Sequence, residues 1–353
     1  MHQLPQRTSL VAQTCTILRE CLTAGEWQGH LPGELELCRR LRVSRVTLRA
    51  ALARLQEEGC IGGGQGKRRA IIAQPSPAKS RRVKKPDRVI LLSPEPLAKL
   101  NSSKLLWMDE LREHVAAQGL GMDFIVSAAA SRPRPARVLA ELTEQHPGAV
   151  WVLLRASPQK QRWFQDAKLP VVVAGSHYPG IALPCVDIDY HATCRHAAGR
   201  LLAKGCGRLG LVIPQEMMAG DRDSEAGFRS GAGAHPVVVA RHDGTPDGLC
   251  RSLDAMLRES PPQGFLVCHS THAVTALSHL LRRGYKVPQQ MLLIARDDDP
   301  FLEHVTPAPA RYAMSPVTYA RHVARLIGRL LDGEHPVKAD LLLPKFLPGG
   351  TMG

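Results

Sequence analysis

The chain has 353 residues, 44% hydrophobic, 22% charged and only 4% aromatic, with a formal net charge of +14. Two or three domains are expected at that length. No stretch approaches the ~18 uncharged apolar residues of a membrane span, and the N-terminus lacks the apolar run of a signal peptide, so no membrane partner is expected and the location is read as cytoplasmic. The charge is uneven: residues 1–86 hold 16 Lys/Arg against 6 Asp/Glu, a net of +10 that leaves +4 for the longer remainder. A small basic module on a larger near-neutral one points to a polyanion binder at the N-terminal end; a basic solubilising tail is the plain alternative. The nine cysteines are odd in number, form no CxxC and sit within apolar patterns, as reduced, buried thiols of a cytosolic protein do.

Residues 8–24 read as an amphipathic helix, with Leu10, Ile17, Leu18 and Cys21 near one face and Gly25 at its end. A turn-rich piece closed by Pro32 leads to a short helix, Glu34–Leu41. Arg42 and Val43 make a tight connection, and Ser44 is a good N-cap for a second helix running through Glu58 and stopped by Gly59. "CIGGGQGKRRAIIA" then reads as a small hairpin around a glycine-rich basic tip. Residues 74–87, rich in Pro, Ser and basic side chains, mark a linker. From Arg88 onward, apolar strand-like runs at 88–92, 121–126, 149–154, 170–175, 208–213, 236–240, 264–268 and 291–295 alternate with helical patterns, including 107–118, 190–204, 247–259 and 271–283. That grammar predicts parallel sheets covered on both faces, and about 265 residues favours two lobes. The fold class is therefore multi-domain: a small α+β winged helix-turn-helix head over 1–73, a basic linker over 74–87, and a two-lobed α/β domain over 88–353.

In the helix after Ser44, Leu48, Ala51, Leu52 and Leu55 form one buried stripe. Arg45 and Arg49, four residues apart, project side by side beside it, while Val46 and Ala53 face away with little bulk. In a helix-turn-helix the start of the second helix meets base edges in the major groove. An arginine fork donates two hydrogen bonds to guanine there, and Ser44 and Thr47 are short donors for phosphates or base edges. Gly62, Gly63, Gly64 and Gly66 leave the hairpin tip narrow, and Lys67, Arg68 and Arg69 make it cationic, which suits approach to a phosphate backbone or minor groove. A phosphate-binding loop is excluded by spacing: Ile61, not Gly, stands five before Gly66, and Arg68 follows Lys67.

"LPGELELCRRLRVSRVTLRAALARLQEEGCI…GQGK" resembles the winged helix-turn-helix of GntR-type bacterial transcription regulators over residues 8–72. The resemblance implies DNA contacts at Ser44, Arg45, Thr47 and Arg49, with Gln65, Gly66 and Lys67 in the wing; Arg68 beside them is a further candidate contact from its charge. Gly33 departs from the family's usual Ser cap, and Leu35 stands where an arginine often reads a guanine. A head that keeps the fold without binding DNA therefore stays open.

"VDIDYHATCRHAAGRLLAKGCGRLGLVI" (186–213) and "GYKVPQQMLLIARDDDP" (284–300) are similar to the LacI/GalR type of effector domain, related to periplasmic sugar-binding proteins. A periplasmic-binding-protein-like domain behind a GntR-type head resembles the arabinose-repressor subgroup. The resemblance puts a ligand carboxylate at Asp297, which can accept two sugar hydroxyls. His269 and Ser270 stand where the family has Asn-Asp, and Ser224 replaces its ligand arginine, with Arg222 close by. With those anchors changed, the effector is either unusual or lost. "CHSTH" (268–272) and "YHATCRH" (190–196) lack a matching second ligand pair at zinc-site spacing and read as pocket lining, so no metal is expected. The run Asp297-Asp298-Asp299 reads as a strand-end turn, and no nucleophile or cofactor motif appears.

These readings predict a homodimeric, non-enzymatic transcription regulator, a repressor by preference. It needs no cofactor, binds double-stranded operator DNA and answers to a small molecule, a carbohydrate being one candidate. The alternatives are a small-molecule binding protein with a degenerate pocket and a non-specific basic head, and an enzyme carrying a regulatory head.

Overall fold

A computed structural model describes residues 10–23, 26–27, 29–57, 60–63, 69–71, 87–259, 261–334, 336–337 and 339–353. The chain divides into two units, Met1–Arg82 and Val83–Gly353. The first contains α1 (Leu10–Thr23), α2 (Glu34–Leu41), α3 (Arg45–Glu57) and an antiparallel ribbon of β1 (Ile61–Gly62) and β2 (Ala70–Ile71), with Ile61 opposite Ile71. Leu18, Leu37, Leu48, Leu52, Leu55 and Ile61 close one core between them, so the stripe read from α3 is its buried face. Arg42 takes the left-handed conformation at φ 52° and returns its N–H to the carbonyl of Cys38. That single residue turns the chain between α2 and α3. The glycine-rich tip (64–68) and residues 72–86 lie outside the described residues.

The second unit begins with a βα alternation: β3 (Arg88–Ser93), α4 (Ser102–Ala117), β4 (Gly121–Val126), α5 (Ala136–Gln145), β5 (Val150–Leu154), α6 (Pro158–Asp166), β6 (Val171–Ala174) and β7 (Cys185–Ile188). A second alternation follows: α7 (Tyr190–Ala203), β8 (Leu209–Pro214), α8 (Ala219–Ala232), β9 (Val237–His242), α9 (Pro246–Glu259), β10 (Gly264–Val267), α10 (Ser270–Arg282), β11 (Leu292–Ala295) and β12 (Ala310–Ala313). The chain then returns to the first lobe with α11 (Pro316–Leu331), which packs on α4, and β13 (Ala339–Leu342), and ends in the second lobe with β14 (Lys345–Leu347). One sheet therefore runs β13-β7-β6-β5-β3-β4, all parallel, and the other β14-β12-β11-β10-β8-β9, parallel except for β14. Three crossings, after β7, β12 and β13, tie the lobes together.

Both sheets are buried on both faces, which is why their strands read as continuous apolar runs. In the first lobe Leu91, Val152, Trp107 and Tyr319 pack on one side, and Ile90, Trp151, Leu139 and Phe164 on the other. In the second, Phe265 and Val267 share a core with Leu253 of α9 and Leu277 of α10, while Leu211 and Leu266 share one with Cys194 of α7 and Phe228 of α8. None of the nine cysteines is in a disulfide. Among the described residues no helix is long and apolar enough to cross a membrane.

Candidate DNA interface and effector cleft

At the start of α3 the Ser44 hydroxyl accepts the Thr47 N–H at 3.1 Å and lies 2.9 Å from the Thr47 hydroxyl. The two form a side-chain cap that satisfies one of the helix's unpaired N–H groups. Arg45 and Val46 are exposed, Val46 at 79%, and Arg45 makes no ion pair with another described residue. Arg49 is half-exposed and donates to Glu34, the first residue of α2, at 2.9 Å; Arg69 reaches the other oxygen of Glu34 at 3.6 Å. One carboxylate thus steers two guanidinium groups, while Arg45 keeps its fork free. Arg39, Arg40, Arg42 and Arg54 are also exposed, with Arg40 paired to Glu26, so the surface of α2 and α3 is rich in arginine. Gly33 begins α2 with no side-chain cap, and Leu35 is half-exposed on its surface. The wing residues Gln65, Gly66, Lys67 and Arg68 lie outside the described residues.

In the second unit a cavity of about 200 Å³ opens where the strands of both sheets end, the position at which open α/β folds take ligands. Its first-lobe wall comes from the start of α4 and the ends of β5, β6 and β7, including Asn101, Lys104, Trp107, Arg155, Ser176 and Asp187. The second-lobe wall includes Tyr190, Gly220, Asp221, His269, Arg296 and Asp297. A Cβ on Gly220 would stand 2.7 Å from the Ser176 hydroxyl and 2.8 Å from the Tyr190 ring. Only glycine lets α8 approach that closely.

Arg296 is the electrostatic centre of this wall. Its guanidinium is buried, donates to Asp297 at 2.8 and 3.1 Å and to Asp221 at 2.9 Å, and lies 4.4 Å from the centre of the Tyr190 ring. Burial opposes the charge on Arg296, but the Asp297 carboxylate beside it more than compensates. Asp297 is likewise held well below the usual carboxylate range: burial alone would raise it, and Arg296 and His269 outweigh that. His269 sits at φ 78°, a strained value for a residue with a side chain, and its Nδ1 lies 3.3 Å from Asp297. Across the cleft, Asp187 accepts a very short hydrogen bond from Ser176, yet burial dominates and raises its carboxyl to about 7. Burial, with help from Arg155, lowers the Lys104 amine. Hydrogen bonds join the walls directly: the Ser102 N–H donates to Asp299 at 3.0 Å, the Ser103 hydroxyl to the Asp298 carbonyl at 2.8 Å, and the Ala219 N–H to the Tyr178 hydroxyl.

The residues singled out from the sequence are distributed as follows. Asp297 and His269 line the cavity together. Ser224 and Ser270 are buried behind its wall, and Arg222 is exposed outside it. Ser224 is tied to the site indirectly, because its hydroxyl accepts from Arg296 at 2.9 Å. The positive charge that the family resemblance assigns to 224 is therefore supplied from 296. Sequence reasoning did not single out Arg296, Asp221, Asp187 or Lys104. The signal for Arg296 was its place just before a candidate ligand aspartate; the others follow only from the topology. Among the described residues no group of His, Cys, Asp and Glu is arranged to hold a metal ion.

Comparison with known proteins agrees with both halves. Residues 11–70 match the model of bacterial regulatory proteins of the gntR family, and residues 198–352 that of a periplasmic binding protein-like domain. The HTH-type transcriptional repressor CytR of Escherichia coli K12 is 27% identical over 172 residues, 47% of this chain and 50% of that protein, so the chain spans about half the length of this relative. The HTH-type transcriptional regulator CelR of Thermobifida fusca is 25% identical over 242 residues, 66% of this chain and 71% of that protein. A transcriptional regulator structure from Yersinia pestis matches with TM-score 0.66 and 21% identity, over 76% of this chain and 98% of its own. A LacI family regulator from Arthrobacter, solved in complex with lactose, matches with TM-score 0.62 and 18% identity over 75% and 99%. The chain thus joins a gntR-type helix-turn-helix head to a periplasmic-binding-protein-like effector domain with the fold of LacI-family regulators.

Proposed function

We propose that this protein is a sequence-specific DNA-binding transcription regulator, acting as a homodimeric repressor in the cytoplasm, with operator affinity set by a small molecule in the cleft of its second unit. The observation that carries the reading is the start of α3: an apolar stripe anchors the helix while Arg45 and Arg49 stand exposed, one turn apart, on its free face. Arginine there supplies bidentate donors to guanine, each good pair contributing roughly 1–3 kcal/mol of discrimination. Ser44 and Thr47 would contact the groove lip, and Gln65, Gly66, Lys67 and Arg68 the adjoining backbone. Asp297 and His269 line the cleft proposed for the effector, on strand ends beside hydrogen bonds that join the lobes. A ligand touching both walls favours one lobe arrangement by its differential affinity, which is what a regulatory signal requires.

Selection and sequencing of genomic fragments bound by the full chain would yield a recurrent, roughly palindromic site. Arg45→Ala and Arg49→Ala would each weaken binding to it and relax the base preference. Salt-sensitive association without a preferred sequence would instead support a binding protein with a non-specific basic head. Variants that protect the site like the parent would refute the recognition-helix assignment.

A further inference from the structure

The charge left without a close partner in the cleft is positive. Each carboxylate on the wall already has a partner within the protein: Asp187 has Ser176, Asp221 and Asp297 share Arg296, and Asp298 pairs with Arg311 at 2.5 Å. The Tyr312 hydroxyl lies 2.7 Å from His196, and the Tyr319 hydroxyl donates to the Val186 carbonyl at 2.8 Å. What remains is cationic or a hydroxyl. The Lys104 amine has no ion pair or hydrogen bond with a described residue. Arg155 has only a 3.6 Å contact to Glu95. The Tyr190 hydroxyl makes no bond with a described residue, and that of Tyr178 accepts from Ala219, leaving its O–H to donate.

The rest of the lining is apolar. Four of the chain's five tyrosines and one of its four tryptophans line this cavity in a chain that is only 4% aromatic. Trp107 and Tyr319 form a tilted pair with ring centres 5.0 Å apart, flanked by Leu100, Leu154 and Met314. A neutral polyol gains little from cations with no counter-ion, whereas the wall's carboxylates are each already engaged by a donor of the protein. An anion pairs with those cations directly. Size narrows the choice: an apolar cavity of about 150 Å³ accommodates benzene, so about 200 Å³ leaves room for one ring and a small charged group.

We propose that the cleft takes a small organic carboxylate carrying a single apolar or aromatic ring, with the carboxylate held by Lys104 and Arg155 and the ring against Trp107 and Tyr319. Arg296 then acts within the wall, offsetting one of the two charges on Asp221 and Asp297 and so reducing their repulsion of an anion. The burial that lowers the Lys104 amine also strengthens its attraction for an anion, because the pair forms away from bulk water. The inference rests on reading the cleft as the effector site, but not on the head binding DNA.

Titration calorimetry on the full chain with benzoate, phenylacetate and 4-hydroxybenzoate tests it, with benzamide, gluconate and glucose as controls. The expected result is saturable binding of at least one ring carboxylate, at least tenfold tighter than benzamide and gluconate. Lys104→Met should weaken that binding tenfold or more, and Lys104→Arg should retain most of it, which separates lost charge from lost fold. No binding by the three ring carboxylates, equal binding of benzamide, tighter binding of gluconate or glucose, or indifference to Lys104→Met would each overturn the proposal. Operator selection is read separately: carboxylate binding without a selected operator would remove the regulator reading and leave this one, and the converse would leave only the regulator.

Discussion

Replacing Arg296 with methionine isolates the ion cluster in the cleft wall. The guanidinium is 4% exposed as a residue, and Asp221, which it bonds, is exposed to the same extent. Removing one partner of a buried pair typically costs about 3–5 kcal/mol, because the surviving charge loses its compensation without regaining water. Here two carboxylates lose their cation, so the upper part of that range is expected at pH 7. The pH dependence carries the sharper signature. In the parent, Asp297 is held below its ordinary range, so its contribution is complete above the unfolded carboxyl value of about 3.9 and is lost as pH falls through the folded value. In the variant, Asp297 is buried without Arg296 and its folded value moves above the ordinary one. The penalty is then full at neutral pH and shrinks on acidification toward that value. Urea unfolding followed by tryptophan fluorescence, at pH 7 and pH 5, reads both effects, since three of the four tryptophans lie in the second unit. Adding Asp221→Asn and Asp297→Asn to Arg296→Met should recover most of the loss by removing the stranded charges. A loss below about 1 kcal/mol, or an equal loss at both pH values, would refute the assignment of Arg296 as the buried counter-ion of both carboxylates.

Other perturbations address the supporting framework. Lys160, in α6, is fully buried with no partner for its amine, and burial lowers it from 10.5 to about 8. Its charge costs about 3 kcal/mol at pH 7. Because the folded value lies below the unfolded one, that cost is full below pH 8 and is relieved as pH rises toward 10.5; Lys160→Met should raise the urea midpoint at pH 7, with a smaller gain at pH 10. A Cβ on Gly227 would stand 2.2 Å from the His191 carbonyl oxygen where α8 crosses α7, so Gly227→Ala should cost about 1–3 kcal/mol in the same assay. Asp299→Ala removes the carboxylate that caps the Ser102 N–H from the opposite lobe, and hydrogen exchange at that amide should accelerate at least tenfold, with amides in β5 and β10 unchanged.

The fold was largely legible because its strands are buried on both faces. Leu91, Val152, Leu211 and Phe265 belong to unbroken apolar runs, and helix-period segments between them force parallel crossovers. The strands without that signal were missed. Cys185–Ile188 includes Asp187, whose carboxyl lines the cleft, and Ala310–Ala313 includes the buried Arg311; Ala339–Leu342 and Lys345–Leu347 are short edge strands. An edge strand is covered on one side only, so its residues need not be continuously apolar. In the head, the stripe from Leu48 to Leu55 was readable from spacing alone, because a helix this short has one face to bury. The salt bridge from Glu34 to Arg49 was not, because it joins the start of one helix to the middle of the next stretch of chain and depends on the angle set at Arg42.

The cleft shows a different limit. Carrying a family's ligand residues over one position at a time treats each as an independent entry in a pattern, whereas the physics constrains the charge at a point in space. Ser224 reads as the loss of an anchor, yet the guanidinium from Arg296 reaches its hydroxyl at 2.9 Å. The cation has changed its element of origin, from the middle of α8 to the end of β11, and in doing so has changed its task. A guanidinium arriving from the strand end is adjacent in sequence to Asp297 and closes on that carboxylate before any ligand can. Asp297 is thereby turned from a ready acceptor into the counter-ion of its neighbour. The same exchange leaves Lys104 and Arg155, on the opposite wall, as the cations still available to a ligand. One arginine at 296 is enough to engage the carboxylate that the resemblance would offer to a ligand, and no residue of the resemblance taken singly carries that information.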